Sequence, residues 1–394
     1  MSLQLAQRLK RVRPSPTVGI TALATRLREA GRDIVVLSVG EPDFPTPEHV
    51  KAAARDALAR NDTKYTPVDG ARLLKEAVVA KLKRDNELDY RPDQVLISNG
   101  AKQSCYNACL ALLDPGDEVI IQAPYWVSYP DMVELADATP VIMSSTAERG
   151  FKIGADELAA AITPRTRLLI LNSPCNPTGA VYSRADWVAF GTVLREHPQI
   201  AILTDEIYEH ILWAPAPFAS FAQACPDLYD RTITVNGMSK AYAMSGWRIG
   251  YAAGPVDVIK AMTSIQSQST TNACTISQAA ARVALTGDQT CVRDMCAEFR
   301  RRHDFVLAGL NRIKGFASTP ADGTFYLFPN VETAMRAKRA ASDVELCERL
   351  LDDAGVALVP GSAFGAPGHL RLSFAASLET LGEALARIEK FMAT

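Results

Sequence analysis

The sequence predicts an α/β fold, in which helices cover a mostly parallel sheet, followed by a smaller α+β unit. Three observations support this prediction. Short apolar runs alternate with helix-period segments over most of the 394 residues, and short turns such as DPGD at 114–117 join them. After about residue 286, a long charged helical pattern replaces this alternation. The change indicates a second structural unit.

The first predicted elements of the α/β region are two helices. Thr46, Pro47 and Glu48 have the pattern of an N-cap, a proline at the first helical position and an acid in the first turn. Apolar residues then recur at helical spacing over residues 50–58. A second helix is predicted over residues 72–84 on the same grounds.

Strands are predicted where short apolar runs end at turns or polar residues. These runs cover residues 95–98, 118–122, 167–171, 200–204, 232–236 and 248–252. Because helices and short connections lie between several of them, most of these strands are expected to run parallel. The second unit is predicted to contain the long helix to about residue 313, FYLF, a helix near 343–354, the strands VALV and HLRLSF, and a final helix.

Composition and charge restrict the class of protein. Apolar residues make up 48% and charged residues 22%, as in ordinary globular chains, and the length favours two or three compact units. The formal net charge of −2 argues against nucleic-acid binding through bulk charge. There is no apolar run of roughly 18 residues, no secretion signal, no CxxC pair and no zinc spacing. We therefore expect a cytoplasmic protein without a metal site.

The stretch NGMSKAYAMSGWRIG contains the first candidate for chemistry. Lys240 lies among small and apolar residues after the run TITV, and Arg248 follows it. Apolar surroundings and a nearby cation both favour a neutral amine, which a Schiff-base lysine needs, and the planar fork of an arginine suits a phosphate. The alternative is a lysine extended along the surface and an arginine in a surface ion pair.

Polar residues also follow two other predicted strands. Asp205 and Tyr208 lie in ILTDEIYEH, and Asn176 lies in LNSPCNPTG between Pro174 and Pro177. Ligands bind at the carboxyl ends of strands in open α/β sheets, and prolines so close together predict a cis peptide bond. The alternatives are a helix cap for Asp205, a packed aromatic ring for Tyr208 and an ordinary loop for the segment of Asn176.

Three further segments have features of ligand sites. Gly100, Ala101 and Lys102 open a helix directly after a strand, and such a helix start binds anions. Trp126 could stack on a flat ring, although a core tryptophan is the alternative. Arg371 in HLRLSF could bind a carboxylate with two hydrogen bonds, although a solvated arginine is the alternative. The chain has neither GxGxxG after a strand nor GxxxxGK[ST].

Taken together, these segments resemble the class I aminotransferases of the fold-type-I pyridoxal-phosphate (PLP) enzymes, and specifically the bacterial aspartate aminotransferase subgroup. GEPDFPTPEHV, KYTPVDG, PYWVSYPDM, NSPCNPTGAVY, TDEIYEHI and SKAYAMSGWRIGYAAGP match in order and spacing. The resemblance implies a homodimer with shared sites. It also implies a large PLP-binding domain over 46–286 with a mostly parallel seven-stranded sheet, a small domain over 287–394, and an N-terminal segment over 1–45 that packs with the small domain.

The resemblance implies a role for each site residue. Lys240 would bind PLP covalently and shuttle the proton, Asp205 would pair with the pyridine nitrogen, Tyr208 and Asn176 would bond the phenolic oxygen, and Trp126 would stack on the ring. The residues implied at the phosphate are Arg248, Ser239, the backbone of Gly100, Ala101 and Lys102, and Tyr65 across the dimer. Arg371 would bind the substrate α-carboxylate, and Gly40, Trp126 and Asn176 would line its pocket. Gly237 stands where many members have a serine, so phosphate binding should depend more on Arg248 and the helix start.

The resemblance also implies a substrate class. Lys102 is linked with the distal carboxylate of a dicarboxylic substrate, and Arg13 with prephenate, although both could be solvated charges. We expect aspartate and 2-oxoglutarate as the main pair in a ping-pong reaction, and prephenate as an additional acceptor. The alternatives are an aromatic or alanine aminotransferase and a PLP-dependent lyase or oxidase.

Overall fold

A seven-stranded sheet forms the centre of the described chain. The structure is a computed structural model that describes residues 3–12 and 16–394. Its strands are β1 (Val35–Val36), β2 (Val95–Ser98), β3 (Glu118–Ala123), β4 (Thr139–Ser144), β5 (Thr166–Asn172), β6 (Ala201–Asp205), β7 (Thr232–Gly237), β8 (Gly250–Ala253), β9 (Tyr326–Leu327), β10 (Val356–Ala357), β11 (Val359–Pro360) and β12 (Leu370–Ser373).

The strand order confirms the predicted parallel sheet. Within the described residues the order is β2-β8-β7-β6-β5-β3-β4. The strands from β7 to β4 in this order run parallel, whereas β8 runs antiparallel to both β2 and β7. Because parallel strands end at one edge, Asn172 and Asp205 lie side by side at the carboxyl ends of β5 and β6.

Helices pack on both faces of this sheet, and further helices belong to the C-terminal unit. They are α1 (Pro16–Glu29), α2 (Glu48–Ala59), α3 (Arg72–Asn86), α4 (Ala101–Leu112), α5 (Ser128–Leu135), α6 (Ala155–Ala161), α7 (Arg184–Arg195), α8 (Phe221–Ala224), α9 (Val256–Ser267), α10 (Thr275–Thr286), α11 (Thr290–Leu310), α12 (Glu332–Lys338), α13 (Asp343–Ala354) and α14 (Leu378–Ala393). No helix in the described ranges is long and apolar enough to span a membrane.

Both faces of the sheet are buried, which explains why its strands are continuous apolar runs. On β5, Leu168 and Ile170 pack in one core with α4, α5 and α9. Leu169 and Leu171 point to the opposite face and pack with α6, α7 and α8. Alternate residues of one strand thus serve two cores, and this fixes the register of the strand.

The C-terminal unit has its own small sheet and core. β11, β12 and β9 form an antiparallel sheet, and α11, α13 and α14 pack in the same core. β1 pairs in parallel with β10, which joins the N-terminal segment to this unit. The division of the chain at residues 45 and 286 stays a prediction.

The structure corrects the sequence analysis at three points. Thr46 does not cap α2, because Pro47 occupies the N-cap position and the Thr46 hydroxyl oxygen accepts from Trp247 Nε1 at 2.9 Å. β4 was not predicted, since it is an edge strand whose side chains are partly exposed. The strand predicted from residue 248 begins at Gly250 instead, because Arg248 has a φ of 56°. One cis peptide bond was expected in this segment, and two are present, before Pro174 and before Pro177.

Candidate active site

A cavity of about 760 Å³ opens at the carboxyl edge of the sheet. Most of the predicted site residues line it. They are Gly40, Ala101, Lys102, Trp126, Asn176, Asp205, Tyr208, Ser239, Lys240, Arg248 and Arg371. The carboxyl ends of β5, β6 and β7 supply the floor, and the strand β12 supplies Arg371 from the C-terminal unit.

Lys240 follows β7 in a turn and points into the cavity. Its Nζ donates a hydrogen bond to Gly40 O and lies 5.8 Å from the centre of the Tyr208 ring. Burial lowers the pKa of Lys240 to about 8, and the positive charges of Arg371 and Arg248 act in the same direction. The amine is therefore much closer to neutrality at physiological pH than a free lysine.

Asp205 ends β6 and is 4% exposed. Its carboxylate accepts hydrogen bonds from Tyr129 Oη at 2.7 Å and from the Ile207 N–H at 3.3 Å. Burial raises the pKa of Asp205 to about 6, and these two hydrogen bonds limit the rise. Asp205 thus keeps a negative charge at neutral pH in the wall of the cavity.

Asn172 holds the polar turn after β5 in place. Its Nδ2 donates to Asp205 O at 2.9 Å, and its Oδ1 accepts from the Asn176 N–H at 2.9 Å. The same asparagine therefore fixes Asn176 relative to the end of the neighbouring strand β6. This arrangement explains why Asn176, in an irregular segment, is 6% exposed and well placed in the site.

Arg371 is buried in the cavity wall with an exposed fraction of 3%. Its Nη1 donates to Asn176 Oδ1 at 3.0 Å and its Nη2 to Ser38 O at 2.8 Å. The guanidinium packs against the Tyr326 ring at 4.4 Å, and Tyr326 Oη is 3.0 Å from Tyr208 Oη. Arg371 Nε is buried and has no hydrogen-bond partner among the described residues. Such a donor is suited to an anionic ligand.

The predicted anion site is formed by the start of α4 and by Arg248. Gly100 precedes α4 with a φ of 90°, and a Cβ there would lie 2.3 Å from Arg248 Nη2. Likewise, a Cβ on Gly250 would lie 2.1 Å from the Ala101 nitrogen. Glycine at both positions lets the guanidinium approach the free N–H groups of the helix start. A Cβ on Gly237 would lie 3.0 Å from Ile249 O, so a serine there would fit only with a small shift.

Lys102 also lines the cavity. Lys102 Nζ lies 4.8 Å from the centre of the Trp126 ring. Burial lowers the pKa of Lys102, and the charge of Arg248 lowers it further. Lys102 is an exposed residue whose ammonium nevertheless lies over an aromatic ring at the cavity wall.

Gly100 and Tyr65 are the predicted residues that the structure describes but that do not line this cavity. Tyr65 is 90% exposed on the surface of the chain. Arg13 lies outside the described residues. In the described part of the chain, no group of three or more His, Cys, Asp or Glu side chains could hold a metal ion.

The structure adds cavity residues that the sequence analysis did not select. Tyr129 and Asn172 lie in the quoted segments PYWVSYP and LNSPCNPTG, so their position after strands was an available signal. Ser38 and Tyr326 become site residues only through tertiary contacts with Arg371. Five residues of α1 also line the cavity: Thr21, Ala22, Thr25, Arg26 and Glu29.

Comparisons with known proteins agree with this fold and cavity. The family profile "Aminotransferase class I and II" matches residues 32–388. The chain is 49% identical to the aspartate/prephenate aminotransferase of Nitrosomonas europaea, with 99% of this chain and 100% of the relative covered. It is 50% identical to that of Cereibacter sphaeroides, with 99% and 98% covered.

Solved structures give the same result. The aspartate aminotransferase of Rhizobium meliloti superposes with a TM-score of 0.96 at 46% identity, covering 100% of this chain and 99% of that one. The aspartate aminotransferase of Thermus thermophilus with maleate has a TM-score of 0.92 at 45% identity, covering 99% and 100%. This chain belongs to the class I and II aminotransferase family. It has the fold of the fold-type-I PLP enzymes and is a PLP-dependent aminotransferase.

The residues of the cavity fit PLP. The cofactor carries an aldehyde, a pyridine nitrogen and a phosphate, and each has a chemical partner here. Lys240 supplies an amine with a lowered pKa, Asp205 a buried carboxylate, and Arg248 with the start of α4 an anion site. The glycine at position 100, where a side chain would collide with Arg248, is the observation that supports the phosphate site most directly.

Proposed function

We propose that this aminotransferase moves the amino group of L-aspartate to 2-oxoglutarate and also accepts prephenate. The observation that carries the proposal is that Arg371 and Lys102 both line the cavity that contains Lys240, in addition to the Arg248 proposed for the phosphate. A dicarboxylic substrate needs one cation for each carboxylate. The names of the relatives from Nitrosomonas europaea and Cereibacter sphaeroides support the same substrates.

The cofactor roles proposed for the cavity follow the chemistry of each side chain. Lys240 would bind PLP covalently, Asp205 would keep the pyridine nitrogen protonated, and Tyr208 and Asn176 would donate hydrogen bonds to the ring oxygen. Trp126 would cover the ring. Gly100, Ala101, Lys102, Ser239 and Arg248 would surround the phosphate, the first three through backbone N–H groups. When bound, PLP supplies an electron sink for the substrate α-carbon.

The protein side chains perform the binding and proton transfer. Arg371 uses two of its N–H groups for Asn176 and Ser38, so its remaining Nη–H groups can bind the α-carboxylate. Gly40 lets Tyr326 approach closely, since a Cβ there would lie 2.6 Å from Tyr326 Oη. Because its pKa is about 8, Lys240 can accept the α-proton as an amine and return it as an ammonium.

A panel of amino acids tests the proposed donor. Each is mixed with the PLP-loaded enzyme, and the change in cofactor absorbance is followed before and after 2-oxoglutarate is added. Aspartate is expected to react with the highest kcat/KM. Faster reaction with alanine or with aromatic amino acids would contradict the proposal in favour of those alternatives. Prephenate is tested as the acceptor in the same assay, with Arg13→Ala expected to weaken its use.

Lys102→Ala tests the distal carboxylate site. We expect KM for aspartate to rise about tenfold or more, because one charge-assisted contact is lost, while alanine is used equally well or better. Lys338→Ala is a matched control, because Lys338 Nζ lies 4.5 Å from the Phe391 ring in the C-terminal unit. An unchanged KM for aspartate in Lys102→Ala would refute the role.

We also propose a homodimer in which Tyr65 reaches the phosphate site of the partner. Its exposure of 90% supports a role outside its own cavity. Mixing Lys240→Ala chains with Tyr65→Ala chains tests this arrangement. A hybrid dimer would then contain one complete site, so PLP affinity should recover above that of Tyr65→Ala alone. No recovery would contradict a contact across the dimer. The expected cytoplasmic location stays a prediction.

A further inference from the structure

Behind the active-site cavity lies a second group of buried polar side chains, between α3, the β6 end and β7. It consists of Glu209, Lys81, Asn86 and Asn236, and we call it the Glu209 cluster. The exposed fractions of these residues are 5%, 1%, 1% and 5%. In the described chain, none of the four lines the cavity. A buried polar group of this kind requires a physical explanation.

Three side chains donate to the carboxylate of Glu209. Lys81 forms an ion pair with it, Asn86 Nδ2 donates to Oε2 at 2.8 Å, and Asn236 Nδ2 donates to Oε1 at 2.7 Å. Burial alone would raise the pKa of Glu209, but the charge of Lys81 and the hydrogen bonds from Lys81 and Asn86 lower it below its usual value. The carboxylate is therefore ionised and held by donors from both α3 and β7.

The Glu209 cluster joins two segments that carry active-site residues, the turn after β6 and the end of β7. Glu209 directly follows Tyr208, in the turn that begins at Asp205. Asn236 binds Glu209 with its Nδ2 and accepts the N–H of the next residue with its Oδ1 at 2.7 Å, just before the turn of Lys240. One carboxylate thus links the turn after β6, the carboxyl end of β7 and the end of α3.

We propose that Glu209 is a positioning residue, whose buried carboxylate fixes Asp205, Tyr208 and Lys240 relative to one another. The proposal rests on the proposed function, from which it takes the cofactor roles of those three residues. Arg371 donates its hydrogen bonds to Asn176 and Ser38, which belong to other segments of the chain. Loosening the Glu209 cluster therefore disturbs cofactor binding and proton transfer while leaving amino-acid binding in place.

The first test is Lys81→Met/Glu209→Leu, which removes both charges and so leaves no buried ion unpaired. We expect kcat of the PLP-loaded variant to fall about tenfold to a hundredfold, with KM for the amino donor within about twofold of wild type. Two readouts do not depend on turnover. The dissociation constant of PLP should rise about tenfold, and the midpoint of a pH titration of PLP absorbance should move by about half a pH unit or more.

A rescue variant and a control separate positioning from stability. Lys81→Met/Glu209→Gln restores an oxygen that can accept from Asn236, and it should recover most of the lost kcat and the wild-type titration midpoint. Glu118→Gln is the matched control. Glu118 is also buried and paired, with Arg165, but it lies at the amino end of β3, at the opposite edge of the sheet. Its substitution should change only the unfolding temperature.

Several outcomes would overturn the proposal. Wild-type kcat, PLP affinity and titration midpoint in Lys81→Met/Glu209→Leu would show that the Glu209 cluster serves stability alone. Equal losses in the leucine and glutamine versions would exclude the hydrogen-bond role. If Lys81→Met/Glu209→Leu does not fold, Asn236→Ala is tested instead, because that change keeps the Lys81–Glu209 pair. An unchanged kcat in Asn236→Ala would also refute the proposal. A wild-type enzyme that neither binds PLP nor transfers amino groups would contradict the proposed function instead.

Discussion

The active-site cavity and the Glu209 cluster both bury charge near the same edge of the sheet, but they satisfy it differently. In the cavity, Arg371 Nε has no hydrogen-bond partner among the described residues. In the Glu209 cluster, both oxygens of Glu209 accept hydrogen bonds from side chains of the protein. An unpartnered buried donor carries a desolvation cost that a ligand can relieve, whereas a filled carboxylate holds its surroundings in place. The cavity is thus suited to binding a ligand, whereas the Glu209 cluster is suited to positioning the segments around it.

The largest effect is expected on the cavity side, at Lys240. Lys240→Ala removes the amine proposed to bind PLP and to move the α-proton, so turnover should fall by at least about a thousandfold. Borohydride reduction followed by mass spectrometry should find a PLP adduct on Lys240 in the wild type and none at that position in the variant. Turnover at the wild-type rate in Lys240→Ala would remove the basis of the proposed site.

The next effect is expected at Arg371, which carries the unpartnered donor. Arg371→Leu should lower kcat/KM for the amino donor roughly a hundredfold, mainly by raising KM. This change corresponds to a loss of about 3 kcal/mol of transition-state stabilisation. Arg371→Lys keeps the charge but loses the planar fork, so it should recover only part of the loss. The PLP absorbance titration should be unchanged in both. A shifted titration with normal KM would assign Arg371 to the cofactor rather than to the substrate.

On the cluster side, the expected effect is on stability. Lys81→Met leaves the Glu209 carboxylate buried without its cation, and the free energy of unfolding should fall by about 3 kcal/mol. Removing the second charge in Lys81→Met/Glu209→Leu should restore part of this loss. Urea unfolding of the cofactor-free proteins measures both values. If the single variant were as stable as wild type, the ion pair would not be a structural element of the fold.

The smallest effect concerns the pH dependence of Lys240. Only the neutral amine reacts with an aldehyde, and the neutral fraction grows as pH rises through the pKa, which lies at about 8. The rate constant for PLP capture by the cofactor-free protein should therefore rise about fivefold from pH 7 to pH 8 and level off above about pH 9. A steady tenfold rise per pH unit up to about pH 10 would indicate a lysine with an ordinary pKa. Stopped-flow absorbance measures the rate.

The sequence predicted the parts of the fold that depend on local pattern. The buried strands β2, β3 and β7 appeared as short apolar runs because both of their faces are covered. Lys240 and Asp205 were found because they directly follow or end such strands. β4 was missed because an edge strand with partly exposed side chains has no continuous apolar run.

The parts that could not be predicted depend on contacts between distant segments. Arg371 reaches Asn176 across 195 residues and Ser38 across 333 residues, so no periodic pattern reveals its partners. Glu209 was visible in TDEIYEH, but its cation Lys81 lies 128 residues away. Whether a charge is solvated or buried and paired is decided by tertiary packing, and a single sequence does not specify it.

The antiparallel pairing of β7 with β8 has a consequence for protein engineering. The loop over 238–249 begins and ends on neighbouring strands, and the Met238 N–H donates to Ile249 O at 3.0 Å where the loop closes. Lys240 and Arg248 both belong to this loop, so the closure of the loop on the two paired strands limits the separation between them. Lengthening the loop between them would separate the amine from the guanidinium, whereas extra residues in a surface connection elsewhere would leave their spacing intact.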